Sequence, residues 1–287
     1  MIIIGCNQGS APPTGGNGGG IELFEFLVEK DICLSPDGEY IYYYGEDTAL
    51  PQWTGIYRAK ISNPFRELMV NIDGISSPSA SKSGDYIYYI KDNGINKVSV
   101  AEETITSLPV LSGREIHRVI ILNDSLMAAW ADSSIFLINT ETLETDSLNR
   151  GGYPSLLPCD SFIYLTSGPG GDVSILKSSF TFNTGDTLYT TGYHADIAWP
   201  AYDCANENIV YTVPAGNGWH YVYLKEIDQP GLFPQLIDST THPRILKFSE
   251  LHIIYTAPDG KLNRATESGS KSRFTHRPEE LEEPPGK

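Results

Sequence analysis

The chain repeats one phrase. Its clearest copy is Leu34-Ser35-Pro36-Asp37-Gly38-Glu39-Tyr40-Ile41-Tyr42-Tyr43, and the next is Ser81-Lys82-Ser83-Gly84-Asp85-Tyr86-Ile87-Tyr88-Tyr89. Each joins a turn to a strand. Proline presets φ, aspartate bonds its own backbone, and glycine accepts φ > 0. The aromatic and β-branched run that follows suits a pleated, mostly buried strand.

With the second tyrosine of the strand as a marker, the copies fall at Tyr42, Tyr88, Ala128, Tyr164, Tyr211 and Tyr255, at intervals of 46, 40, 36, 47 and 44 residues. Each interval holds four short strands and their turns, the content of one propeller blade. A second extended run follows each marker, as in Gly55–Ala59, Ser134–Ile138 and His220–Leu224. A more polar run then comes, such as Asp186-Thr187-Leu188-Tyr189-Thr190. An outer strand with one free edge is expected to be that polar.

The sequence thus predicts an all-β, six-bladed β-propeller of four-stranded antiparallel blades spanning residues 21–267. The sixth unit runs short of strands. Residues 21–29 alternate apolar and acidic side chains over much of their length, so Glu22–Val28 is expected to close the last blade as its outer strand. An independent edge strand or an amphipathic helix is the alternative reading of that segment. Residues 268–287 are polar and contain Pro278, Pro284 and Pro285, and they read as a disordered tail.

The Ser-Pro-Asp-Gly phrase resembles the repeat of TolB-like, PD40 (WD40-like) β-propellers. Residues 34–43 carry the likeness well, residues 81–89 moderately, and the other copies mainly through the strand. The resemblance implies the propeller fold and, as commonly in that family, a binding or scaffold role without catalysis.

Ile2-Ile3-Ile4-Gly5-Cys6 resembles the end of a bacterial lipoprotein signal peptide, with Cys6 as the lipidated residue. Residues 7–20 are rich in glycine and polar residues and read as a flexible tether. No basic stretch precedes the apolar run, so this resemblance implies a translation start upstream of Met1. The expected localisation is the cell envelope, extracytoplasmic and lipid-anchored, with the membrane reached only through Cys6. No other segment is long enough to span a bilayer. With Cys6 lipidated, Cys33, Cys159 and Cys204 allow at most one disulfide. No Cys-x-x-Cys pair suggests zinc, and buried thiols are the default reading.

The formal net charge is −16. That balance, without a basic stripe, argues against a nucleic-acid partner. No Gly-x-Ser-x-Gly elbow, Walker loop, His-Glu-x-x-His or EF-hand loop is present, and no catalytic residue can be assigned.

One constellation stands out at the channel mouth, where the inner strands begin. Seven residues before the turn position of the first four copies lie Asp31, Ser77, His117 and Tyr153. His194 and His242 complete the ring if the first turns of blades five and six carry extra residues. Arg118 and Arg244 lie close by. These eight residues are the candidate ligand-binding set. Imidazoles from His117, His194 and His242 could ligate a divalent metal or hold a carboxylate or peptide end. No spacing enforces ligand geometry, so neither metal nor cofactor is expected. Trp53 and Trp219 sit at loop–strand junctions and could stack on a sugar or a peptide, or pack against a neighbouring blade. The function expected is that of a monomeric envelope protein engaging a protein or peptide at the mouth. The alternative is a metal-assisted lyase or hydrolase acting on carbohydrate there.

Overall fold

The computed structural model describes residues 27–148, 151–157, 161–167, 172–180, 186–191, 197–203, 207–229, 233–240, 242–248, 252–256, 262–266 and 271–273. They form six four-stranded antiparallel sheets, in each of which consecutive strands pair. The first contains β1 (Leu27–Leu34), β2 (Tyr40–Asp47), β3 (Gly55–Lys60) and β4 (Asn63–Asn71). The second contains β5 (Ser76–Ala80), β6 (Tyr86–Lys91), β7 (Gly94–Ser99) and β8 (Ile105–Leu108). The third contains β9 (Ile116–Asn123), β10 (Leu126–Ala131), β11 (Ser134–Asn139) and β12 (Thr145–Leu148). The fourth contains β13 (Gly152–Leu157), β14 (Ser161–Ser167), β15 (Val173–Ser179) and β16 (Asp186–Thr191). The fifth contains β17 (Ala198–Asp203), β18 (Asn208–Gly216), β19 (Trp219–Glu226) and β20 (Gln235–Thr240). The sixth contains β21 (His242–Phe248), β22 (His252–Thr256), β23 (Leu262–Thr266) and β24 (Lys271–Arg273). Each sheet's first strand lies beside the first strand of the next, and β21 returns to β1, so the sheets form the blades of a ring.

The repeated turn works as its residues require. Gly38 has φ +73° and donates its N–H to the Ser35 carbonyl at 2.9 Å, while Ser35 Oγ accepts the Tyr40 N–H at 2.9 Å. Blade two repeats this: Gly84 has φ +77° and bonds the Ser81 carbonyl at 3.0 Å, and Ser81 Oγ accepts the Tyr86 N–H at 3.1 Å. The strand that follows is covered on both faces. In β2, Ile41 and Tyr43 pack with Ile254 and Leu262 of blade six, whereas Tyr42 and Tyr44 pack with Ala80, Ile87 and Tyr89 of blade two. Strand alternation sends successive side chains to opposite faces, so one tyrosine-rich run serves two interblade cores.

The N-terminal strand does not close the last blade, which corrects the expectation from its pattern. Blade six is completed by β24, paired with β23 through Asn263↔Arg273, Arg264↔Ser272 and Ala265↔Lys271. Of Glu22–Val28, only Leu27 and Val28 are among the described residues. They open β1, the innermost strand of blade one, opposite Asp47 and Glu46. The reason is chemical. An outer strand has one unpaired edge and needs no apolar face, so Lys-Ser-Arg serves as well as a hydrophobic run and leaves no periodic signal.

Among the described residues no strand is exchanged across the seam between blades six and one, which is held by packing and by the Glu29 carboxylate. Glu29 on β1 is fully buried. Its Oε1 accepts from Arg66 Nε at 2.7 Å and its Oε2 from the Leu262 N–H at 2.6 Å, linking β1, β4 and β23. Burial alone would lower the Arg66 pKa; the charges of and hydrogen bonds to Glu29 and Tyr43 together more than reverse that. Burial first, and then the Glu29 charge, push the Tyr43 phenol upward.

Candidate functional site

The inner strands carry a bulge near their start. In β1 it falls between Lys30 and Cys33, in β5 between Ser76 and Ser79, in β13 between Gly152 and Ser155, and in β17 between Ala198 and Ala201. The residue entering each bulge is left-handed: Asp31 (φ 59°), Ser77 (53°), Tyr153 (53°) and Trp199 (49°). In β9, Arg118 faces Trp130 and Ile116 faces Ala131, which leaves His117 as the extra residue. A bulge re-aims a side chain out of the regular ladder. This local geometry brings side chains of different blades together at one end of the ring.

Those side chains then do different jobs. Asp31 Oδ2 accepts the Ser77 N–H at 3.3 Å. Ser77 is buried; its hydroxyl donates to the Val119 carbonyl at 2.9 Å and accepts the Val119 N–H at 3.0 Å. It therefore stitches β5 to β9. His117 stacks obliquely on Trp130, with ring centroids 4.5 Å apart, and its Nδ1 lies 3.9 Å from Glu115. Arg118 is buried, its guanidinium 4.9 Å from the ring centroid of Trp199, two blades away. Tyr153 lies between Trp130 and Trp199, at centroid distances of 4.4 and 4.9 Å.

Of the remaining candidates, His194 lies outside the described residues. The backbones of His242 and Arg244 begin β21, and their side chains are outside the description. In blade five the bulge residue is Trp199, not His194. Its signal was the following proline: Trp199-Pro200 matches Ser77-Pro78 and Tyr153-Pro154. No group of three or more His, Cys, Asp or Glu side chains that could hold a metal occurs among the described residues. Cys33 is a buried free thiol beside Ser79 Oγ at 3.5 Å; Cys6, Cys159 and Cys204 lie outside the described residues. Trp53 ends a single helical turn, Pro51–Trp53, and Tyr57 Oη donates to its carbonyl. Trp219 is exposed at the start of β19.

Around Trp130, Tyr153 and Trp199 opens a cavity of about 630 Å³, between blades three, four and five. Leu165, Val173, Ile197 and Pro214 add apolar surface; Asp132, Ser133, Thr166, Ser167 and His220 add polar groups. The size and the mixture of apolar walls with a few polar groups are those of a small-molecule or side-chain site. Gly152 makes the wall possible: a Cβ there would stand 3.0–3.2 Å from the Trp130 indole. Two wall atoms, Trp130 Nε1 and His220 Nδ1, are buried without a hydrogen-bond partner. Burial lowers the His220 pKa, and a hydrogen bond to the Gly218 backbone only partly offsets this, so the ring is neutral near pH 7. The Asp132 pKa is lowered by the Glu115 backbone N–H and then by Arg114, whose Nη1 lies 2.9 Å away. The arrangement offers a neutral imidazole, an indole donor and one ionised carboxylate among aromatic faces.

No protein-family model matches the chain, and no curated protein matches it. Among solved structures, TolB from Acinetobacter baumannii superposes with a TM-score of 0.52 at 15% identity, covering 70% of this chain and 52% of TolB. This chain thus spans about half the length of that protein. A chain of a nidogen/laminin complex gives a TM-score of 0.55 at 10% identity, covering 85% of this chain and 90% of the other. KlHsv2, with its loop 6CD replaced by a Gly-Ser linker, gives 0.55 at 7% identity, covering 86% and 99%. At these identities the likeness is one of fold. The TolB-like, PD40 resemblance read from Ser-Pro-Asp-Gly is accordingly corrected to a distant kinship of architecture. The phrase encodes a tight turn feeding a buried strand, a local need that propellers of different families share, so it carries fold and not family.

Proposed function

We propose that the protein is a non-enzymatic binding protein whose mouth cavity receives a peptide segment of a protein partner. The propeller fold is consistent with a scaffold role, since its rigid ring presents loops and a mouth for recognition. The observation that carries the reading is the cavity of about 630 Å³ walled by the aromatic rings of Trp130, Tyr153 and Trp199. Aromatic residues in desolvated pockets are also the usual anchors of protein interfaces.

The same reading makes the chain a monomer tethered to the cell envelope by lipid on Cys6, supported by Ile2–Cys6 and the glycine-rich stretch after it. Among the described residues no helix is long and apolar enough to cross a membrane. Panning a random peptide library on wild-type protein and on Trp130→Ala tests the binding role. Sequences enriched on wild type and lost on the variant are expected; no enrichment on wild type overturns the reading. Labelling with a fatty-acid analogue in a bacterial host, lost in Cys6→Ala, tests the anchor.

A further inference from the structure

The chemistry of the cavity selects among peptides. Its described lining contains one carboxylate, Asp132, and no Lys or Arg. Asp132 is held ionised by the Glu115 N–H and Arg114, and His220 is held neutral by burial. The rim adds Glu115, whose side chain is largely exposed, and Asp172, which precedes the lining residue Val173. Among the described residues, the rim sets one exposed cation, Arg114, against these three carboxylates. Arg118 lies on the Trp199 ring, buried and outside the lining. The chain as a whole carries −16. Aromatic faces attract cations through their quadrupole, and clefts lined by one sign of charge focus that field.

We infer that the occupant is a basic peptide segment, with a Lys or Arg side chain laid against the aromatic walls and its head toward Asp132. This inference rests on the peptide-binding reading and adds the charge of the ligand. It excludes acidic peptides, phosphates and acidic sugars from the cavity, because each would bring a second anion beside Asp132.

Blocked pentapeptides with a central Arg, Gln or Glu, and the neutral sugar maltotriose, provide the test, read by calorimetry and by quenching of tryptophan fluorescence on the full chain. The Arg peptide is expected to bind about tenfold more tightly than the Gln peptide, and the Glu peptide more weakly than both. The Arg preference should shrink as salt rises from about 50 to about 300 mM. Glu115→Gln with Asp172→Asn should cut the preference to about threefold or less while leaving Gln-peptide binding in place. Equal binding of the Arg and Gln peptides, both lost in Trp130→Ala, would overturn the charge assignment and leave the peptide site standing. Binding of maltotriose alone, or peptide binding indifferent to Trp130→Ala, would overturn both.

Discussion

Removing the Glu29 carboxylate should loosen the whole ring. Glu29 is fully buried, the Arg66 side chain is 3% exposed, and the two are joined at 2.7 Å while the Leu262 N–H from blade six is held at 2.6 Å. Glu29→Ala strands a buried guanidinium and a buried amide together. Breaking one partner of a buried pair costs about 3–5 kcal/mol. At about 2–4 °C per kcal/mol for a chain of this size, the melting temperature should fall by about 6–20 °C. Glu29→Leu combined with Arg66→Met removes both charges and leaves the Leu262 N–H unpaired, so about 1–3 kcal/mol should remain lost. Equilibrium urea unfolding of wild type, Glu29→Leu, Arg66→Met and the double variant closes the cycle. The two sites should couple strongly, the double variant being more stable than Glu29→Leu. A loss below about 1 kcal/mol in Glu29→Ala, or additive single effects, would refute the claim that this carboxylate holds the seam.

Other consequences follow from particular contacts. Gly152→Ala places a methyl 3.0–3.2 Å from the Trp130 indole; it should cost about 1–3 kcal/mol by overpacking and shift the tryptophan emission by moving that wall. The lowered His220 pKa means the unfolded chain binds more protons just below its ordinary value. Stability should therefore be full above that value and decline as pH falls through the folded pKa, and a denaturation series from about pH 7.5 to about pH 5 should show a flatter decline in His220→Gln. Because β24 completes blade six, ending the chain after Glu267 should cost about 1–3 kcal/mol. Deleting residues 1–26 should leave urea unfolding unchanged; a large loss there would return the closing role to the N-terminus.

What the sequence revealed tracks burial. The markers Tyr42, Tyr88, Ala128, Tyr164, Tyr211 and Tyr255 all lie in the second strand of their sheets, because a strand covered on both faces must be apolar and its turn must be chemically specific. The seam was misread because β24 is three polar residues at an edge, while the alternation of residues 21–29 is easily seen. The site was legible where the bulge follows the common spacing. Asp31, Ser77, His117 and Tyr153 were found by counting back from the turn, but that count does not reach Trp199 in blade five. Residues that reach the cavity from second and third strands or the turn between them, such as Trp130, His220 and Asp132, had no local signature. Their meeting depends on how blades three and five sit around blade four.

The unlaced seam has a consequence for how such a ring can be cut. Each blade is a contiguous stretch of chain, so the termini mark no special joint in the architecture. The backbone could be reopened between any two blades and the old ends linked, and every sheet would still fold from its own four consecutive strands. In such a rearranged molecule, Glu29 would become an ordinary interior contact between covalently joined neighbours. The stress of closure would pass to whichever pair of blades had lost its peptide link.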